Sequence, residues 1–245
     1  MISKSFEKYV NSLKQKKHRA HYRRFITEGE KTVREFLNER FPAEKILALP
    51  SWTENNLAWK KFYEIEEISA LQMDRLSSLV TPSPVLLIGK IPELTIPEET
   101  IATQISLALD GISDPGNLGT IIRIADWFAI ETIFCSEDCA DAYNPKTVQA
   151  SMGSLARVKV MEVNLKTLFA QYANAPVYGT FPVGENIFEM NPLRSGFLLI
   201  GSEAHGIRND LLPLIEKKIT IPRIGKAESL NAAVAAGIVC AWLKK

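Results

Sequence analysis

A chain of 245 residues, 46% of them hydrophobic and with a net charge of +1, can bury one large core or two modest ones and is no polyelectrolyte as a whole. Its longest apolar stretch, LNAAVAAGIVCAWL at 230–243, is too short and too rich in small residues for an ordinary membrane span, and no signal-peptide core opens the sequence. A globular cytoplasmic protein is therefore expected, with no membrane partner. Cys135, Cys139 and Cys240 match neither zinc spacing nor a disulfide framework and read as reduced packing residues.

Charge is unevenly placed. Between Met1 and Thr27 stand Lys4, Lys8, Lys14, Lys16, Lys17, Arg19, Arg23 and Arg24 against the single acid Glu7, a local charge of about +7. His18, His21, Tyr22 and Phe25 are interleaved with them, so the segment offers phosphate partners and flat faces for unstacked bases. The pattern predicts an amphipathic helix from Lys4 to about Leu13, then a basic loop, then a short strand in RRFITEG that ends at Gly29. EKTVREFLNERF follows as a helix with Val33, Phe36 and Leu37 on one face and Pro42 as its stop. KILALP at 45–50 and PVLLIGKI at 84–91 read as strands with helical material between them, which gives a small α/β domain over 1–92.

PELTIPEET, from Pro92 to Thr100, has two prolines and no periodicity and suits an exposed linker. A second domain is expected over 101–245. There, strand-like runs (ISLALD, ETIFCS, VKVMEV, PVYGTF, FLLIGSE, KKITIP) alternate with helical runs at 117–128, 144–153, 165–173 and 208–217. Such alternation predicts a mainly parallel, doubly wound sheet. The closing stretch SLNAAVAAGIVCAWL, lined with alanines and Gly237, reads as a buried core helix.

Three loops after predicted strands carry glycine: DGISDPGNLGT after ISLALD, GSEAHGI after FLLI, and PRIGKAESLN after KKITI. Ligands collect at the carboxyl ends of parallel strands, and glycine lets a backbone approach them closely, so a shared pocket is expected. The spacing rejects a Walker A loop, a dinucleotide fingerprint, a metal cluster and a nucleophile elbow. An arginine, a glutamate, two asparagines and backbone groups remain, which suit binding and positioning better than covalent catalysis. Asn117 follows Gly116 where a helix begins and could be its cap, Glu203 could cap the next helix, and Arg123 could be a snorkelling surface arginine.

DPGNLGTIIRIADWF, LLIGSEAHGI and ITIPRIGKAESLNAAVAAGI, in this order, resemble the three motifs of the SpoU (TrmH-like) family of RNA ribose 2'-O-methyltransferases in the SPOUT superfamily. The resemblance covers 101–245. The first half is similar in outline to a ribosomal-protein-like RNA-binding domain, including its KKHRAHYRRFITEGEK opening. It implies a C-terminal SPOUT domain with a trefoil knot, a smaller N-terminal α/β RNA-binding domain, S-adenosylmethionine as cofactor, no metal, and a homodimer. Carried onto this chain, it implies Gly201, Ile221 and Leu230 as cofactor positions, with Thr180, Ser229 and Asn231 beside them, and Asn117, Arg123 and Glu203 as catalytic positions.

Methyl transfer from a sulfonium needs an oxygen nucleophile held in line and stripped of water, so positioning supplies much of the acceleration. Arginine is not deprotonated in proteins. Arg123 is accordingly expected to bind the adjacent phosphate and polarise the ribose hydroxyl, with the proton acceptor left open, and Glu203 to fix the constellation by accepting from Arg123 or Asn117. His205 is read as variable rather than as a base. Lys16, Lys17, Arg19, Arg23 and Arg24 are the expected RNA contacts, ribosomal RNA being preferred to transfer RNA as substrate. The alternatives are a transfer-RNA enzyme and a knotted RNA-binding module that has lost catalysis.

Overall fold

A computed structural model describes residues 2–96 and 98–243; Met1 of the expected first domain, Pro97 of the expected linker, and Lys244 and Lys245 of the expected second domain lie outside the described residues. The chain forms two compact units, Met1–Glu93 with Asp141–Ala156, and Leu94–Ala140 with Arg157–Lys245.

The first unit is built on a four-stranded sheet of β1 (Arg24–Glu28), β2 (Ala43–Ala48), β3 (Ile65–Glu67) and β4 (Val85–Lys90) in the order β1-β4-β2-β3. β4 is antiparallel to both neighbours, and β3 joins the edge parallel to β2. Helix α1 (Lys4–Ser12) starts where the Ser3 hydroxyl accepts the Phe6 N–H, close to the expected span. The basic stretch expected as a loop is instead helix α2 (Lys16–Tyr22). Its burial carries no apolar periodicity because its one buried side chain is Arg19, 2% exposed. Helix α3 (Glu30–Asn38) presents Val33, Phe36 and Leu37 to the interior as its spacing requires. Helices α4 (Pro50–Asn55) and α5 (Ala70–Leu76) complete the Met1–Glu93 part.

The segment expected to lie wholly within the second domain contributes 141–156 to the first unit instead. Tyr143 sets its ring 4.9 Å from that of Phe25, and Asp141 accepts from Arg19 Nε at 3.0 Å and Nη2 at 2.6 Å. Arg19 Nη1 donates to the Leu13 carbonyl at 2.9 Å. Sequence adjacency cannot reveal this return, because the groups that hold the segment, Arg19 and Phe25, lie more than 100 residues away.

The second unit holds six parallel strands: β5 (Ile105–Asp110), β6 (Thr132–Cys135), β7 (Lys159–Glu162), β8 (Val177–Asn186), β9 (Gly196–Gly201) and β10 (Lys217–Thr220), in the order β10-β8-β9-β5-β6-β7. The chain winds outward through β5, β6 and β7, then returns to build β8, β9 and β10 on the other side of β5. The switch in direction falls between β5 and β9. Helix α6 (Glu98–Thr103) takes in the last three residues of the expected linker and the three that follow, and α7 (Pro115–Trp127), α9 (Leu165–Gln171) and α10 (Ala232–Leu243) cover the sheet, while α8 (Pro145–Ser151) belongs to the first unit. A core around Ala108, Phe134, Phe169, Phe197 and Leu199 fills one side.

The helix expected at 208–217 is absent: this stretch holds only a short 3-10 turn at Leu212–Leu214. Pro213 has no amide hydrogen, and the Arg208 N–H is spent on the Asp110 carboxylate at 2.7 Å. No helix among the described residues is long and apolar enough to cross a membrane.

Removing one partner of a buried, hydrogen-bonded ion pair leaves the other charge stranded. Arg19→Ala is expected to lower the unfolding free energy by about 3 kcal/mol, measured by urea denaturation; a parental midpoint would show that the Arg19–Asp141 pair holds nothing together.

Candidate active site

All six strands of the second unit point their carboxyl ends the same way, so the loops after β5, β9 and β10 emerge on one edge of the sheet. Asp110 and Gly201, the last residues of β5 and β9, are direct register partners. The two loops therefore leave the sheet side by side, at the switch point where an open parallel sheet forms its ligand crevice.

Helix α7 begins with Asp114 as its cap: the Asp114 carboxylate accepts the Asn117 N–H at 2.8 Å, and Pro115 occupies the first turn, where its missing N–H costs nothing. Asn117 is thus not the cap, and its side chain is spent elsewhere. Asn117 Nδ2 donates to Glu203 Oε1 at 2.8 Å, and Asn231 Nδ2 donates to Asn117 Oδ1 at 2.9 Å and to Glu203 Oε1 at 3.1 Å. The Ala232 N–H adds a third donor to the same carboxylate oxygen at 3.0 Å. Asn231 Oδ1 in turn accepts the N–H groups of Ala233 and Val234, at 3.0 and 3.2 Å, which makes Asn231 the cap of α10. Glu203 thus supports the N-terminus of α10, far along the chain, rather than that of the next helix.

Beside this ring of three side chains lies a cavity of about 720 Å³. Of the expected cofactor positions, Thr180, Gly201, Ile221, Ser229 and Leu230 all line it, together with Glu203; Asn231 is held just outside by its bonds to Asn117 and Glu203. Ile200, Ile219 and Val239 supply apolar wall that the motifs do not mark. One wall comes from an irregular strand. Lys218 pairs with Gly179, yet the next residue of β10, Ile219, pairs with Glu185, so 180–184 are looped out of the ladder and Thr180, Phe181 and Pro182 face the cavity. Gly184 permits this, since a Cβ there would lie 2.7 Å from the Lys218 carbonyl oxygen. Gly201 is equally constrained: its Cβ would meet the Gly206 carbonyl carbon at 2.2 Å.

The loop after β9 is closed on itself by reciprocal backbone bonds between Ser202 and Gly206, at 2.9 and 3.2 Å. Its far end is held by Asp110, which is 1% exposed and which the sequence reading passed over. Asp110 Oδ2 accepts the Arg208 N–H, and Oδ1 lies 2.6 Å from Arg208 Nε as an ion pair outside hydrogen-bond alignment. Burial pushes the Asp110 carboxyl above the usual carboxylate range, opposed by its contacts with Arg208. A lone acid ending an otherwise apolar strand was the available signal. Nearby, the Ser136 hydroxyl holds Asp138 below its ordinary value, and a hydrogen bond from Cys135, against the effect of burial, brings the Cys139 thiol down to about 7. All three cysteines are buried and unbridged.

Arg123 stands apart. It lies on the exposed side of α7 between Thr120 and Trp127, does not line the cavity, and makes no hydrogen bond or ion pair among the described residues. Of the basic residues expected to meet RNA, Lys16, Lys17 and Arg23 are exposed. Arg24 is bonded to Glu44 at 2.7 Å. Arg19 is buried against Asp141, which corrects its assignment as an RNA contact: a guanidinium already desolvated and paired has nothing left for a phosphate. His205 lines the cavity rim without contacting the ring of Asn117, Glu203 and Asn231.

Residues 104–241 match the family model described as the SpoU rRNA Methylase family, and residues 6–87 match the MRM3-like substrate binding domain. The chain is 30% identical over 237 residues to the 23S rRNA (guanosine(2553)-2'-O)-methyltransferase RlmP of Bacillus subtilis, covering 94% of this chain and 92% of that protein. Among solved structures, one assigned to the TrmH family of RNA methyltransferases from Porphyromonas gingivalis superposes with a TM-score of 0.88 at 32% identity, covering 100% of this chain and 98% of the other. An AdoMet-bound rRNA methyltransferase from Sinorhizobium meliloti gives a TM-score of 0.88 at 26% identity, covering 100% and 96%. With the loops after β9 and β10 lining one cavity, the loop after β5 tied to it through Asn117, and a family match spanning all three, the chain belongs to the SpoU rRNA methylase family.

Proposed function

We propose that the protein transfers the methyl group of S-adenosylmethionine to a ribose 2'-hydroxyl of ribosomal RNA. The observation that carries this reading is the hydrogen-bonded ring of Asn117, Glu203 and Asn231 set against the 720 Å³ cavity. The cavity residues fit the cofactor. Ile219, Ile221 and Leu230 offer an apolar slot for a flat base, Thr180 and Ser229 offer hydroxyls, and Gly201 lets the Gly206–Ile207 backbone fold closely against the end of β9. When bound, S-adenosylmethionine supplies an electrophilic methyl group on a sulfonium, so the transfer itself requires no metal.

The remaining work is positional. Glu203, held by three donors on Oε1, keeps Asn117 at the start of α7 and Asn231 at the start of α10 in one frame. Arg123, exposed on the same helix as Asn117 and with its fork uncommitted among the described residues, holds the phosphate beside the target nucleotide and polarises the ribose hydroxyl. Most of the rate comes from holding oxygen and methyl in line and dry.

The finer features of the reading have their own support. Threading of the C-terminal chain through a knot is supported by the step from edge strand β10 to helix α10, which packs on α7 and β9 in the middle of the sheet. Homodimer formation is supported by apolar side chains left in water on α7 and α10, Trp127 at 82% and Val234 at 51% exposure. Three unbridged cysteines support the reducing cytoplasm. In the first unit, Lys16, Lys17 and Arg23 are exposed on and just after the same helix as Tyr22, whose ring is exposed and has His18 nearly parallel to it at 17° and 6.2 Å. This mixture of exposed cation and aromatic face suits unpaired RNA.

Ribosomal RNA is favoured because the first unit matches a substrate-binding domain model and the RlmP relative, named for 23S rRNA, is similar over nearly the whole chain. Mapping 2'-O-methyl groups in total RNA from a deletion strain is expected to show one lost mark in large-subunit ribosomal RNA; a loss confined to transfer RNA would overturn the substrate, and no loss together with absent cofactor binding by calorimetry would leave an RNA-binding module. Arg123→Lys and Arg123→Ala are expected to stay folded and to bind cofactor, while single-turnover methylation falls about 100-fold. A rate within about threefold of the parent for the lysine variant would show that planar geometry is not what counts. Changing Lys16, Lys17 and Arg23 together to alanine is expected to flatten the dependence of RNA affinity on salt by releasing about three fewer counterions; an unchanged slope would assign these cations to a merely solvated face.

A further inference from the structure

Two loops at the switch point form a closed circuit. From Asp110 the backbone runs through 111–114 into α7 and reaches Asn117; the Asn117 amide crosses to Glu203 at 2.8 Å; from Glu203 the backbone runs through the small closed loop to Arg208; and Arg208 returns to Asp110 through its N–H and its guanidinium. The tip of the circuit carries two expected catalytic side chains. Its base is a buried carboxylate that the motifs leave out. Because Asp110 and Gly201 are register partners, the sheet fixes where the two loops depart, and the end of the second loop is held by Ile207, buried in the core, and by the bond from the Arg208 N–H to Asp110.

We propose that Asp110, acting through Arg208, is the positioning residue that holds Glu203 against Asn117 for methyl transfer. This inference rests on the catalytic reading of Asn117 and Glu203 above. Three features of the structure support it. Glu203 is exposed and stands on a loop of five residues whose internal bonds shape it without anchoring it to the sheet. Ser202, Glu203, His205 and Gly206 of that loop line the cavity, so its placement bears on cofactor and ring alike. Asp110 is 1% exposed and faces Arg208 with both oxygens, a costly arrangement for a purely structural acid at a strand end. Asp138, 3.8 Å from Arg208 Nη1, steadies the far side of the guanidinium.

The substitution Asp110→Asn keeps one acceptor for the Arg208 N–H and removes the charge. Its amide nitrogen would replace the buried oxygen 2.6 Å from Arg208 Nε, so the variant is expected to melt somewhat below the parent, and its activity is compared at a temperature where both are fully folded. Its single-turnover methylation of ribosomal RNA at saturating S-adenosylmethionine is expected to fall about tenfold, because Glu203 loses its placement without losing its chemistry. The discriminating measurement is the cycle with Glu203→Gln. If Asp110 acts through Glu203, the double variant is no slower than Glu203→Gln alone, whereas independent roles multiply. Parental activity in Asp110→Asn, or multiplicative losses in the double variant, overturns the positioning role and leaves the site reading intact. Parental activity in Glu203→Gln overturns both. Activity in Asp110→Asn that is restored together with the melting temperature by a stabilising osmolyte makes Asp110 a structural residue only.

Discussion

The register that sets Asp110 opposite Gly201 is the constraint on which the site depends. Parallel pairing of β5 with β9 sends two loops off one edge at adjacent points, and each delivers one member of a hydrogen-bonded pair, Asn117 from the first and Glu203 from the second. A slip of this pairing would separate these side chains by a residue's rise and turn the buried Asp110 to the opposite face. Hydrophobic burial makes the slip costly, since Leu107, Ala108, Leu198 and Leu199 of the two strands are all fully buried.

Glu203 Oε1 is the point where three parts of the second unit meet. Its donors come from the first turn of α7, from the cap of α10 and from the first backbone N–H of α10 itself. A carboxylate at a helix N-terminus is favoured by the unpaired N–H groups and by the dipole of the helix. The same contact that stabilises α10 thus holds Asn117 and Asn231 together on one carboxylate oxygen. Arg123, by contrast, is exposed and makes no side-chain bond among the described residues.

The basic N-terminal segment divides in the same way between structure and surface. Arg19 and Arg24 are consumed internally, by Asp141 and Glu44, and Arg24 also donates to the Tyr22 and Arg23 carbonyls. Through Glu44, which also accepts from Tyr9, these bonds order the ground beneath Tyr22, whose ring meets that of Tyr9 edge-on at 5.0 Å. Counting charges along the sequence overstates what remains for a phosphate, because a buried arginine and an exposed one look alike in a list of residues.

The sequence by itself determined the elements whose signal is local. Apolar runs marked every strand of the parallel sheet, Val33, Phe36 and Leu37 marked the inner face of α3, and two of the three glycine-bearing loops marked the cavity, the first, at 110–120, reaching it only through Asn117. It also contained Asn117, Glu203 and Asn231, since short motifs hold the residue types a positioned transfer needs. Tertiary structure alone decided the partnerships: that 141–156 returns to the first unit, that the stretch after Arg208 is tied to β5 rather than coiled into a helix, that 180–184 leave the ladder to wall the cavity, and that one carboxylate oxygen gathers three donors. The physical reason is range. Periodicity and turn chemistry act over a few residues and can be read along the chain, whereas a buried ion pair or a shared hydrogen-bond acceptor is chosen by groups 28, 86 or 122 positions apart, which only the folded backbone brings within 3.1 Å.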